Sequence, residues 1–413
     1  MKERVVITGL GCVSPLGNDV TSTWQQLMAG QSGITPITSF DVSQYTTRFA
    51  GTIQNFDAAD WMPVKEVRKV DPFIHYAIAA SVQAVRDAGL ENFQGDPQSV
   101  GVAISAGIGG IGTIGEQALV LDKRGPKKIT PQFVPATIVN MASGHVSQLY
   151  NFRGPNFSVS TACATGVHNI GLAVDMIRLG RADIMIAGSS ERAVAPLGLG
   201  GFAAARALST RNDEPQRASR PWDKGRDGFV MADGGVTLVV ESLTSAQSRG
   251  AKIYAEVIGF GMSGDAYHVT APREDGAGAQ LAMKAAIKDA QINPNEINYL
   301  NAHGTSTPRG DIAEVRAIKA VFGDHAQQKL MVSSTKSMTG HLLGASGSLE
   351  TMVTALVVNN NEIPPTINLE QPDDECDLDF VPLTGRQAQV SIAMSNSFGF
   401  GGTNASIIVK KMI

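Results

Sequence analysis

The chain has 413 residues, 43% of them hydrophobic and 17% charged, which is apolar material for a large core in more than one ordinary domain and excludes a disordered chain. The 34 Lys and Arg against 38 Asp and Glu leave a net charge of −4, so no basic excess marks nucleic acid as the main partner. Its 3 cysteines are too few for a disulfide framework and no apolar run approaches a membrane span, so a reducing, cytoplasmic setting away from membranes is expected.

In chain order, the N-terminal VVITGLGCVSPLG predicts a strand over 4–9 and a glycine turn, its apolar run being too short for the core of a signal peptide. A helix is expected over 72–88, then strands over 99–105 and 156–160. After Cys163 comes a helix apolar on nearly all sides, as in the middle of a protein. Strands over 183–187, 235–241 and 255–259 follow, then a helix over 278–290, a strand over 297–301, a helix over 312–321 and a strand over 330–334. Past His341 lies a second helix apolar on most sides, and strands over 390–396 and 405–409 flank SFGFGGTN as a hairpin turn. The alternation argues for an α/β fold with mostly parallel sheets.

Two stretches are near copies. SVSTACATG and SSTKSMTGH share Ser160/Ser334, Thr161/Thr335, Thr165/Thr339 and Gly166/Gly340, each after a strand and before a buried helix. AEVIGFGMSGDA likewise echoes the N-terminal strand and turn. Internal duplication is the reading, with halves at 1–251 and 252–413 packed as one unit. Insertions at 36–71, 107–140 and 193–234 are expected to supply loops around a site or a dimer contact.

Cys163 has small neighbours, Ala162, Ala164 and Gly166, and lies where a helix N-terminus would favour its thiolate; the alternative is a buried core cysteine. Cys12 and Cys376 read as structural, as do His75, His145, His168, His268 and His325. His303 and His341 follow strands in small-residue turns, and strand ends of an α/β fold converge at one edge. Such a Cys/His/His set suits a zinc site, although no ligand pair has the usual short spacing, or Cys–His hydrolysis, or acyl transfer followed by carbon–carbon bond formation. Lys336 reads as an organiser of the histidines, with Asp311, Glu314 or Glu350 as its carboxylate. Phe400, between glycines, is a plain turn residue, or a gate whose backbone N–H completes an oxyanion hole.

VSTACATG, NAHGTSTP, SSTKSMTGHLLGASG and SNSFGFGGTN, with VVITGLGCVSPLG and RPWDKGRDGFV, stand in the order and spacing of the β-ketoacyl-acyl carrier protein synthases, and the chain resembles the type II elongating members along its whole length. The resemblance implies a thiolase-like α-β-α-β-α sandwich of two duplicated halves, a homodimer, and decarboxylative condensation of an acyl group with malonyl-acyl carrier protein. It implies that Cys163 holds the acyl chain and that His303 and His341 promote decarboxylation. The N–H groups of Cys163 and Phe400 would form the oxyanion hole, and Lys336, paired with Glu350, would support the histidines, with Glu350 counted among the substrate-binding residues. Thr305 and Thr307 would contact pantetheine, Ile108 and Phe202 would line the acyl pocket, and Lys65, Arg68, Lys69 and Arg206 would meet an acidic carrier. No cofactor or metal of the enzyme's own is implied, since phosphopantetheine arrives on the carrier. Three stretches depart from the family's usual wording: MADGG after RDGFV, RGD after TSTP, and GASGSLE in place of an alanine-rich GAAG. The alternatives are a specialised polyketide ketosynthase or a Cys/His thioester hydrolase.

Overall fold

Residues 3–412 are described in a computed structural model of the chain. The strands of its main sheet are β1 (Val5–Val13), β2 (Val100–Ser105), β3 (Asn156–Phe157), β4 (Ile184–Glu191) and β5 (Gly234–Ser242). Then come β6 (Ala255–Gly264), β7 (Tyr299–Asn301), β8 (Met331–Ser333), β9 (Ile392–Gly399) and β10 (Thr403–Lys410). Every residue of β1, β2, β4 and β5 is buried. Helices cover both faces of these strands, which is why the sequence shows continuous apolar runs rather than alternation.

The ten strands are ordered β8-β7-β9-β10-β6-β1-β5-β4-β2-β3. Outward from the centre, β1-β5-β4-β2-β3 and β6-β10-β9-β7-β8 carry the same sequence of two antiparallel and two parallel ladders. Among the described residues the two arrays share strand pairing only where Val5–Ile7 pair with residues 255–257. Mostly parallel sheets were expected; the sheet is mixed, with four parallel ladders and five antiparallel. Unbroken apolar character reports burial on both faces and carries no strand direction. The strand expected over 156–160 is also shorter, because the chain leaves the sheet after Phe157 to form the cysteine turn.

Helices α1 (Pro72–Asp87) and α3 (Ala277–Ala290) pack on the outer faces of the two arrays, and α4 (Pro308–Phe322) lies beside α3. Between the arrays lie α2 (Thr165–Arg178) and α5 (Ser346–Asn360), in contact with each other, giving the five layers α-β-α-β-α. α1 starts where Asp71 caps the N–H of Phe73 and Pro72 takes the first helical position. The echoed glycines have a shared cause. A Cβ on Gly9 or Gly11 would lie 2.3 Å or 1.9 Å from carbonyl oxygens of α1, and one on Gly259 or Gly261 2.4 Å or 2.3 Å from carbonyl oxygens of α3. Each inner strand therefore meets its outer helix backbone to backbone.

The same device joins the central helices. A Cβ on Gly166 would lie 2.4 Å from the Ser348 nitrogen, and one on Gly347 2.8 Å from the Val167 nitrogen. The N-terminal ends of α2 and α5 are thus pressed together, and so are the turns that precede them. Among the described residues no helix is long and apolar enough to cross a membrane.

Candidate active site

The two small-residue phrases are those turns. Cys163 follows Ala162, whose φ of 51° is left-handed, a conformation costing a non-glycine residue roughly 1 kcal/mol. The Ala164 N–H donates to Thr161 O at 3.1 Å, the Thr165 N–H to Ala162 O at 3.1 Å, and the Thr161 N–H to Thr165 Oγ1 at 2.8 Å. This closed turn sets Cys163, partly exposed, two residues before Thr165, the first residue of α2.

In the second phrase, Gly340 (φ +71°) turns the chain into His341, whose N–H donates to Val230 O at 2.7 Å. His341 Nε2 lies 3.1 Å from Cys163 Sγ, and Nδ1 lies 2.8 Å from Ser346 Oγ. His303 follows β7, its loop held by Glu314 of α4, which accepts the N–H of His303 at 2.8 Å and of Gly304 at 2.7 Å. The His303 and His341 rings meet edge to face at 5.3 Å. Ligand-type atoms of Cys163, His303 and His341 all lie within 4.8 Å of one another. Residues 140 and 38 apart along the chain (163, 303 and 341) thus supply one cluster, so the spacing argument against zinc does not apply to this fold. What opposes a cation there is the charge of Lys336, which acts on all three groups.

Lys336 is 1% exposed and paired with Glu350 of α5. Burial holds both imidazoles well below the usual histidine value, and the Lys336 ammonium lowers them further. Both rings are neutral at physiological pH. Burial pushes the Cys163 thiol up to about 12, against the pull of Lys336 and a hydrogen bond from the Phe400 N–H. The thiolate expected from the helix N-terminus is therefore not the resting form. Desolvation outweighs the pull of Lys336 and of the Phe400 N–H, and the resting sulfur carries its proton. Glu350 is raised by burial to about 7, with Lys336 opposing.

A cavity of 660 Å³ opens over the cluster. Ile108, Phe202, Thr305, Thr307 and Phe400 line it beside Cys163, His303 and His341, and exposed Arg206 also borders it. The 39% exposed Phe400 ring lies 6.4 Å from that of Phe202, while its backbone faces the sulfur. Thr305 and Thr307 hydroxyls lie 3.1 Å apart. Lys336 lies behind the wall. So does Glu350, which corrects its reading as a substrate-binding residue: it is 1% exposed and bonded to Lys336. Lys65, Arg68 and Lys69 are exposed on and just after the short helix Val64–Val67 and do not line the cavity; Lys69 pairs with Glu66 at 3.0 Å.

His268, read as structural, stands in the cavity wall. Sequence reasoning also passed over Ser346 and Glu191. Fully buried Glu191 accepts the N–H groups of Gly107 at 2.8 Å, Ile108 at 3.1 Å, Gly109 at 3.3 Å and Gly344 at 3.1 Å. Its one local signal was a carboxylate at the end of an apolar strand. Glu314 was noticed only as a possible partner of Lys336, eleven residues after His303.

The sequence matches the family described as beta-ketoacyl synthase, N-terminal domain, over residues 2–246, and beta-ketoacyl synthase, C-terminal domain, over 254–370. The chain is a β-ketoacyl synthase. This synthase is 55% identical to 3-oxoacyl-[acyl-carrier-protein] synthase 2 of Vibrio harveyi over 413 residues, 100% of this chain and 99% of that one. It is 56% identical to the protein of the same name from Coxiella burnetii over 411 residues, 100% and 99% of the two chains. A beta-ketoacyl synthase from Burkholderia phymatum superposes with a TM-score of 0.92 at 35% identity, covering 100% of both chains. A ketosynthase solved with its type II polyketide acyl-carrier protein and a bound hexaketide superposes at 0.91 with 34% identity and 100% of both. The thiolase-like fold implied by the sequence motifs is the fold of these synthases.

Proposed function

We propose that this β-ketoacyl synthase condenses an acyl group held on Cys163 with malonyl-acyl carrier protein, giving 3-oxoacyl-acyl carrier protein and CO2 in fatty acid elongation. The observation that carries the reading is one protonated thiol and two neutral imidazoles at the floor of one apolar cavity.

In the loading half, Cys163 Sγ attacks the carbonyl carbon of the incoming thioester as His341 Nε2 takes the Sγ proton. The Phe400 N–H, already directed at this point, donates to the developing oxyanion beside the Cys163 N–H. The bond to the carrier's thiol breaks, and that thiolate takes the proton. In the condensing half, Nε2–H groups of His303 and His341 donate to the malonyl thioester oxygen while the bond to the carboxylate breaks. CO2 leaves and an enolate remains. Its carbon attacks the Cys163 thioester, the S–C bond breaks, and Cys163 departs as a thiolate that takes a proton from solvent, the proton the overall decarboxylative step consumes. Neutral imidazoles are the competent donors here, because they bring no charge into a cavity that Lys336 already biases positive.

We assign hydrogen bonding of a pantetheine arm to Thr305 and Thr307, contact with the acyl chain to Ile108 and Phe202, and gating between them to Phe400, all of which line the cavity. We assign docking of an acidic carrier to Lys65, Arg68, Lys69 and Arg206, which are exposed. A homodimer is part of the proposal: Leu119, Val134, Ile138 and Leu197, on two of the insertions, are 43–58% exposed apolar side chains that a second copy would cover. No resident cofactor or metal is needed by these steps. Identity of 55% to elongation-type relatives against 34% to the polyketide ketosynthase favours fatty acid elongation over the specialised pathway. The test is to supply purified protein with acyl-carrier and malonyl-carrier. Formation of 3-oxoacyl-carrier with CO2 is expected; free acid from hydrolysis, with no condensation product, contradicts the reading.

A further inference from the structure

The stretch after His341 departs from the family's alanine-rich wording at 344–347, and the departure places a hydroxyl. Ser346 is the first residue of α5 and 1% exposed. Its Oγ lies 2.8 Å from His341 Nδ1 and is the hydrogen-bond partner of that nitrogen among the described residues. The other ring nitrogen, Nε2, is the one 3.1 Å from Cys163 Sγ. What Ser346 does at Nδ1 therefore sets what His341 offers at the sulfur.

The two halves of the reaction ask opposite things of Nε2. Loading needs a lone pair there to take the Sγ proton; condensation needs an N–H there to donate to the thioester oxygen. In a neutral imidazole the hydrogen sits on one nitrogen or the other. A hydroxyl suits both forms, since it accepts from Nδ1–H or turns and donates to bare Nδ1. We propose that Ser346 is a positioning residue that partners both tautomers of His341 and thereby fits one imidazole to acyl loading and to condensation. The inference rests on the role given to His341 above. During loading the Sγ–H bond breaks, Nε2 gains the proton while Nδ1–H stays bonded to Ser346 Oγ, the new S–C bond forms, and the proton passes from Nε2 to the departing carrier thiolate.

An alanine at 346 would set Nδ1 against a methyl group. A buried N–H without an acceptor is less tolerable than a bare acceptor, so the Nδ1–H form is lost and the Nε2–H form persists. Ser346→Ala is expected to slow acylation of Cys163 roughly tenfold, the effect of one orphaned buried donor, and to leave CO2 release from malonyl-carrier within about twofold. The full-length enzyme is measured in single-turnover acylation by mass spectrometry and, separately, in CO2 release. Ring-15N-labelled histidine reports the tautomer, the His341 signals being assigned by their loss in His341→Ala. The wild type should show an average of the two forms and Ser346→Ala the Nε2–H form alone. Ser346→Thr, which keeps the hydroxyl, should restore loading. Ser348→Ala, which removes a hydroxyl bonded to Ser189 Oγ at 2.6 Å instead, should change neither half. Equal slowing of both halves, no slowing, or an unchanged 15N pattern in Ser346→Ala would overturn the proposal. A His341→Ala enzyme that loads and decarboxylates at wild-type rates would instead overturn the role of His341 itself.

Discussion

Lys336 touches neither substrate cavity nor sulfur, yet its charge reaches every reacting group. Two consequences can be measured in Lys336→Met. Glu350 is left as an uncompensated buried carboxyl, a loss of about 3 kcal/mol in urea unfolding. Both imidazoles move up toward 6.5, since the positive neighbour that lowers them is gone. Neutral rings are the active form, so the acid limb of the pH–rate profile should move to higher pH. An unshifted limb would mean that Lys336 is only a packing residue. At this scale the sequence was legible where residue type narrows the chemistry: a lysine in a small-residue turn calls for a carboxylate. Which one came from the family resemblance and not from the residues themselves, and nothing marked Ser346, because a serine in a glycine–alanine run looks like any small residue until the fold sets it against a ring nitrogen.

Each array ends in a carboxylate-held loop at the cavity. Glu191, the last residue of β4, gathers the strip Gly107–Gly109 and Gly344. Burial raises it from 4.5 to about 7 against those four amides. Between these values the folded protein keeps a proton that the unfolded chain releases, so this group's stabilisation is full below 4.5 and is lost as pH rises through about 7. Glu191→Gln has no such titration and turns an amide donor toward backbone donors. It should be less stable than wild type by about 2 kcal/mol at acid pH, the gap narrowing as pH rises through about 7. A gap independent of pH would refute the assignment. Elements were legible where burial leaves a pattern in composition: β1, β4 and β5 as unbroken apolar runs, and α2 and α5 as helices apolar all round. Strand direction was legible at the glycine-rich hairpin of β9 and β10, which is antiparallel as expected, but not elsewhere, since β7 and β8 run parallel with sequences just as apolar.

For the molecule as a whole, the repeated phrase is the most informative thing the sequence contained. Two like turns precede two buried helices, and glycines at the helix starts let those helices meet backbone to backbone. That contact brings Cys163 and His341 to hydrogen-bonding distance across 178 residues of chain. What no local pattern could supply was the register by which β7, from the second array, delivers His303 to the same point. The central claim is that nucleophile and decarboxylating pair share one cavity but divide the labour. CO2 release from malonyl-carrier by Cys163→Ala and His303→Ala, with acyl adducts followed by mass spectrometry, tests it most directly. Cys163→Ala should form no acyl-enzyme yet still release CO2, whereas His303→Ala should acylate and release almost none. An acyl adduct persisting in Cys163→Ala, or CO2 release undiminished in His303→Ala, would contradict the account.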